Sequence, residues 1–164
     1  MEAEDARENS REAFLLRVGD SKEEVQKKVE EALRLIPQAK GINNHKGSRA
    51  TSDYLLMSCF TDSLKGKGLY FLDSLTSSNS VAYQLASQKG IPSFRRDIFL
   101  DGEPSFSYVT AQLKKTVEIA KKKGQAIAIG HPNEATCEAI YQFVSKFSEP
   151  GVEFVFLSEM EGRN

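Results

Sequence analysis

The chain has 164 residues, 40% of them hydrophobic and 27% charged, with 22 Lys and Arg against 23 Asp and Glu. That length suits one compact domain that buries about 68–70% of its unfolded surface, and the apolar content excludes a disordered class. A formal net charge of −1 offers no positive field for nucleic acid or an anionic membrane. No apolar run approaches the roughly 20 residues of a membrane span.

The N-terminal Met1-Glu2-Ala3-Glu4-Asp5 is acidic, which is the pattern of neither a secretory signal nor a transit peptide. Residues 1–13 show no periodicity, and Ala13-Phe14-Leu15-Leu16 reads as a short buried or edge segment. Patterning then becomes regular, and residues 14–160 read as one domain. Ser21 with Glu24 makes a capping box, Val25, Val29, Leu33 and Ile36 recur at helical spacing, and Pro37 closes the helix. Short apolar runs bounded by Gly, Pro, Asn or Asp predict strands at Ala39–Ile42, Gly68–Leu72, Gln125–Ile129 and Val152–Leu157, with a weaker one at Ile91–Phe94. Helical patterns fall between them, at Tyr54–Leu64, Ser80–Ala86, Val109–Ala120 and Ala135–Phe147. Lysines followed by glycine, as in Lys121-Lys122-Lys123-Gly124, place cations on a helix C-terminus and a left-handed residue just beyond it. The lysine runs therefore need no nucleic acid to explain them. Cys59 and Cys137 lie far apart in apolar-patterned segments, with no metal-type spacing, and read as two buried reduced thiols. The order of elements predicts an α/β fold, a mostly parallel sheet built from βα units.

Each predicted strand runs into polar residues. Ile42 leads into Asn43-Asn44-His45-Lys46, Leu72 into Asp73-Ser74, and Phe94 into Arg95-Arg96-Asp97. Ile129 leads into Gly130-His131-Pro132, and Leu157 into Ser158-Glu159. Active sites of parallel α/β proteins gather where strands end, so these five segments predict one rim. Each residue also has a plainer explanation. His45 fits a loop histidine and Asp73 a turn cap. Arg95, Arg96 and Asp97 fit a self-satisfied ion cluster, while Asn133 and Glu134 fit the start of a helix. No GxGxxG, Walker, HExxH or GxSxG pattern is present.

Five stretches resemble, in order and spacing, the divergent polysaccharide deacetylases, relatives of the NodB-type carbohydrate deacetylases. They are Gly41–Thr51, Gly68–Ser74, Asn79–Tyr83, Arg95–Asp101 and Ala126–Pro132. The resemblance implies a distorted (β/α) barrel, incomplete here, that holds a divalent metal, usually zinc, at its strand-end rim. It implies a polysaccharide or oligosaccharide partner and hydrolysis of acetyl groups on glycans. By the same likeness His45 resembles a metal ligand and His131 the late histidine that acts as general acid. Asp73 and the Arg95-Arg96-Asp97 cluster resemble rim positions that orient those groups. The chemistry is coherent, because a metal would polarise a poorly electrophilic amide. Arg95 or Arg96 would stabilise the oxyanion, and a histidine would protonate the leaving amine.

The likeness is to the later part of the family pattern. Met1-Glu2 resembles a Met-Glu step that in the family follows the first strands, so the metal shell and the base are expected to be incomplete. Two histidines in the whole chain do not supply two metal ligands and a separate acid. A three-ligand zinc site would need His45 with carboxylates drawn from Asp73, Asp97 and Asp101. Five strands are too few to close such a barrel, so an open edge available for pairing with a partner is expected. A catalytically silent, glycan- or partner-binding form of the same fold is the second expectation. The family is generally exported, which the acidic first residues do not themselves signal.

Overall fold

The computed structural model describes Met1 and residues 14–160; apart from Met1, the unpatterned segment 1–13 lies outside the described residues. The chain falls into two compact units, Met1–Arg95 and the part from Arg96 onward, each with its own apolar cluster.

In the first unit, Leu15 and Leu16 are buried without forming a strand. Helix α1 (Lys22–Leu35) opens on the Ser21–Glu24 capping box: the Glu24 amide donates to Ser21 Oγ at 3.2 Å, and the Ser21 amide to Glu24 Oε2 at 2.8 Å. Its Val25 and Val29 face inward. Strand β1 (Gly41–Asn43) is followed by a five-residue helix, α2 (Ser48–Ser52), and by α3 (Tyr54–Leu64). The sequence pattern shows only the second of these, because one and a half turns carry too few apolar positions to set a period. Strand β2 (Tyr70–Asp73), α4 (Ala82–Gln88) and β3 (Ser93–Arg95) complete the unit. The sheet order is β1-β2-β3, all parallel, with Asn43 opposite Leu72 and Asp73 opposite Arg95. Its core includes Val25, Met57, Phe60, Leu64, Phe71 and Leu85, with Phe60 and Phe71 meeting edge to face at 5.5 Å.

The second unit is one parallel βαβ motif with an added helix. Strand β4 (Ile98–Phe99) pairs with β5 (Ala128–Ile129) across α5 (Phe106–Lys123), and α6 (Glu134–Ser145) follows. Gly124 ends α5 at φ 85° behind Lys121-Lys122-Lys123, the left-handed terminus and cation placement read from the sequence. The clustered buried apolar side chains here are Leu100, Val109, Leu113 and Ala139, with Val117 buried beside them on α5, a smaller set than in the first unit.

Three expectations change. The weak run Ile91–Phe94 becomes β3, and a separate strand β4 follows after only Arg96 and Asp97, so those residues bridge two strands instead of ending one. Val152–Leu157 is not a strand: it is irregular and leads into a 3-10 turn, Leu157–Met160. Phe154 packs edge-on against Phe147 at 5.0 Å and Phe143 at 6.1 Å, yet it and Phe156 stay exposed. Cys137 is exposed and Cys59 half-buried, both as free thiols. The described strands form open sheets of three and two, with no closed barrel, and every pair is parallel. No described helix is long and apolar enough to cross a membrane.

Candidate functional site

At the strand ends of the first unit, the polar residues are knitted to one another. Asn44 is 1% exposed; its Oδ1 accepts from the Ser74 amide at 2.8 Å, and its Nδ2 donates to the Lys46 carbonyl at 3.0 Å and to Thr76 Oγ1 at 3.4 Å. Asn43 reaches Ser74 Oγ at 3.2 Å. Asp73, also 1% exposed, accepts from the Leu75 amide on Oδ1 at 2.8 Å. Its Oδ2 accepts from Ser80 Oγ at 2.7 Å and the Tyr83 amide at 3.3 Å. Three donors on this buried carboxylate fix the turn that leads from β2 to α4. Lys46 and Leu75, just beyond β1 and β2, take φ 54° and 49°, a conformation that costs a non-glycine residue on the order of 1 kcal/mol and is held by that network. His45 is exposed, and its carbonyl accepts from the Met1 ammonium at 3.1 Å. Arg95, exposed at the end of β3, lies over the Tyr83 ring at 5.6 Å.

In the second unit the decisive pair lies two residues beyond the paired strands. Asp101 follows β4 and His131 follows β5; the Ile98–Ala128 and Phe99–Ile129 register carries the two side chains to the same strand end. The Asp101 side chain is 3% exposed and His131's is 53% exposed, with Nδ1 2.9 Å from Asp101 Oδ2. The same Oδ2 accepts from the His131 amide at 3.0 Å and from Asn133 Nδ2 at 3.0 Å. Asn133 also caps α6, its Oδ1 accepting from the Thr136 amide at 2.9 Å. An anionic acceptor at Nδ1 assigns the Nδ1–H tautomer to the neutral ring and makes Nε2 its basic nitrogen. The Phe99 ring meets the imidazole edge to face at 5.5 Å, and the Arg96 guanidinium lies 5.4 Å from the centre of that phenyl ring.

Asp97 does not join this pair. Its Oδ1 accepts from Lys123 Nζ at 2.9 Å and its Oδ2 from the Ile127 amide at 3.0 Å, which pins the start of β4 to the start of the β5 segment. His131 lies four residues further along from Ile127, up to about 13 Å of extended chain. Asp101, and not Asp97, is the carboxylate bonded to the His131 ring, and the short strand β4 separates position 97 from position 101. Asp101 is inconspicuous in the sequence. It was legible only as one more carboxylate at the end of a matching stretch, because its value depends on the parallel pairing of β4 with β5.

The described residues do not by themselves complete a metal centre. Among the described residues, no three His, Cys, Asp or Glu side chains gather to hold an ion, whereas a catalytic zinc takes three protein ligands. Both oxygens of Asp73 and of Asp97 already accept protein donors. Oδ2 of Asp101 takes three.

Parallel strands that end in a histidine oriented by a buried carboxylate define an α/β domain with a strand-end polar site. The chain belongs to the divergent polysaccharide deacetylase family, whose sequence model matches residues 1–160. It is 43% identical to an uncharacterized protein of Haemophilus influenzae over 121 residues, covering 74% of this chain and 43% of that protein. It is 36% identical to the uncharacterized protein YibQ of Escherichia coli over 129 residues, covering 79% of this chain and 40% of YibQ. The chain thus spans about two-fifths of the length of these relatives. The fold is similar to that in a crystal structure of an uncharacterized Agrobacterium tumefaciens protein, with a TM-score of 0.84 at 22% identity, covering 88% of this chain and 59% of that one.

Proposed function

We propose that this domain serves hydrolysis of acetyl groups on glycans and contributes the proton-transfer half of that reaction. Family membership supports the substrate class, and the hydrogen bond from His131 Nδ1 to buried Asp101 carries the reading of the residue. With Nδ1–H anchored, the protonated imidazole presents its Nε2–H as the acid. When water has added to the acetyl carbonyl, that proton goes to the amine nitrogen as the C–N bond breaks, giving acetate and a free amino sugar. Asp101 stabilises the imidazolium and fixes its orientation without itself taking the proton. Arg96, held on Phe99 at the imidazole's edge, is the proposed cation for the oxyanion. No step is routed through a metal. His45 is the proposed ligand of this chain for a zinc ion whose remaining ligands the described residues do not supply.

A second reading follows from that shortage of ligands: the domain binds glycan through the same strand ends and does not turn it over. Acetate release from N-acetylchitooligosaccharide and from an acetylated polysaccharide, measured with and without added zinc, separates the two. Turnover that falls by about 10²–10⁴ in His131→Ala, with unchanged thermal unfolding, supports the catalytic reading. Saturable glycan binding by calorimetry with no acetate released supports the second, and absence of both rejects the pair.

A further inference from the structure

Among the described residues, two buried side-chain oxygens have no hydrogen-bond partner: Asp101 Oδ1 and Thr136 Oγ1. Leaving such an atom unsatisfied in the interior is costly, so two of them in one small unit call for a common cause. They flank the same spot. A Cβ built on Gly130 would lie 3.3 Å from Asp101 Oδ1 and 3.1 Å from Thr136 Cγ2, so the threonine turns its methyl toward the region where the carboxylate oxygen sits.

Thr136 is also the exception among the helical threonines. Thr51, Thr61, Thr110 and Thr116 each donate their hydroxyl to the carbonyl four residues back, all at 2.8 Å. Thr136 stands third in α6 (Glu134–Ser145) after the cap Asn133. Four residues back is Pro132, outside the helix, so the usual acceptor is not in helical position. Threonine populates two χ1 wells in helices, and a turn of about 120° between them exchanges hydroxyl for methyl.

We propose that Thr136 is a positioning residue for the His131–Asp101 pair: its hydroxyl donates to Asp101 Oδ1, directly after that rotation or through one bound water. This rests on the reading of His131 and Asp101 given above. The donor completes a carboxylate whose Oδ2 already serves the His131 amide, His131 Nδ1 and Asn133. Thr136 is then tied to Asp101 twice, through its hydroxyl and through its amide by way of Asn133. A fourth donor spreads the carboxylate's charge and locks its plane, and so sets how strongly Asp101 holds the imidazole N–H.

The test is proton NMR on the full chain. In the wild type, the Thr136 hydroxyl proton is expected to exchange slowly with water and to show a cross-peak to the Asp101 methylene or, where water bridges, to a bound-water proton. Thr136→Val, which keeps the shape and removes the donor, is expected to move the His131 Nδ1–H resonance to lower field as Asp101 binds it more tightly; Thr136→Ser restores the wild-type position. A fast-exchanging Thr136 hydroxyl in the wild type overturns the proposal, as does a cross-peak from it to Pro132 alone. An unmoved Nδ1–H resonance in folded Thr136→Val, or serine behaving like valine, also overturns it. Asp101→Asn serves as the control for the underlying pair: if it leaves the Nδ1–H resonance in place, the His131–Asp101 reading fails first. Absence of deacetylation, by contrast, leaves all these readouts standing. If Thr136→Val does not fold, the wild-type exchange and cross-peak data decide.

Discussion

Two buried aspartates stand at strand ends, Asp73 closing β2 and Asp101 two residues past β4, and they are built for different work. Asp73 distributes its oxygens over a backbone amide, a serine hydroxyl and a second amide within ten residues of itself. All of its donors are local, and together they shape one turn. Asp101 concentrates three donors on one oxygen, all from the segment 30–32 residues away, and one of them is the ring nitrogen of an exposed histidine. The other oxygen is buried and unpartnered. A carboxylate whose partners are all local is a structural fixture. One that reaches across a strand pair to hold a titratable ring, with capacity to spare, is suited to chemistry.

The contrast is tested most sharply by exchanging effects on activity for effects on stability. His131→Ala is expected to lower acetate release by about 10²–10⁴ while shifting unfolding by about 0.5 kcal/mol or less, since its side chain is half exposed. Equal loss of activity in Asp73→Ala with unimpaired folding would erase the distinction. Next in size, Asp73→Ala is expected to destabilise by about 3 kcal/mol in urea unfolding, because it strands the Ser80 hydroxyl and two amides; a change within error would remove Asp73 as the fixture of the β2–α4 turn. Gly130→Ala is expected to cost about 1–2 kcal/mol, because its new methyl would sit 3.1–3.3 Å from Thr136, Leu100 and Asp101 Oδ1. It should also perturb the His131 Nδ1–H resonance, which Asp73→Ala should not.

The smallest effect comes from the capping box, far from either aspartate in sequence. The Ser21 amide and hydroxyl hold the Glu24 carboxyl below its ordinary pKa. Folding is therefore helped by this group above the unfolded pKa, and the help fades as pH falls through the folded one. Ser21→Ala should lower the midpoint of urea unfolding more near pH 7 than in acid below the folded pKa of Glu24, where only the loss of the cap on the Glu24 amide remains. An equal drop under both conditions would show that the hydroxyl, and not the carboxylate, carries the cap.

Much of this was legible before any coordinates. The capping box at Ser21, the Lys-rich end of α5 with Gly124 and the apolar runs of β1, β2 and β5 are local signals, set by neighbours a few residues apart. Val152–Leu157 is apolar in composition without being buried: Phe154 meets aromatic rings and pairs with no strand, and Phe156 stays exposed. Asp97 follows the run Ile91–Phe94 as expected, but the two-residue strand β4 just after it is too short to show an apolar pattern of its own, so its place before β4 is not legible in the sequence. Thr136 carries no local signal, and Asp101 shows only as one more carboxylate at the end of a matching stretch.

The sequence by itself determined the alternation of helix and parallel strand, the family, and His131 as the residue to watch, since backbone preference and apolar period act over a few residues. Only the tertiary structure decided which carboxylate serves that histidine. The choice depends on β4 lying beside β5, a contact between segments 30 residues apart, and proximity in space is a property that no short window of chain contains.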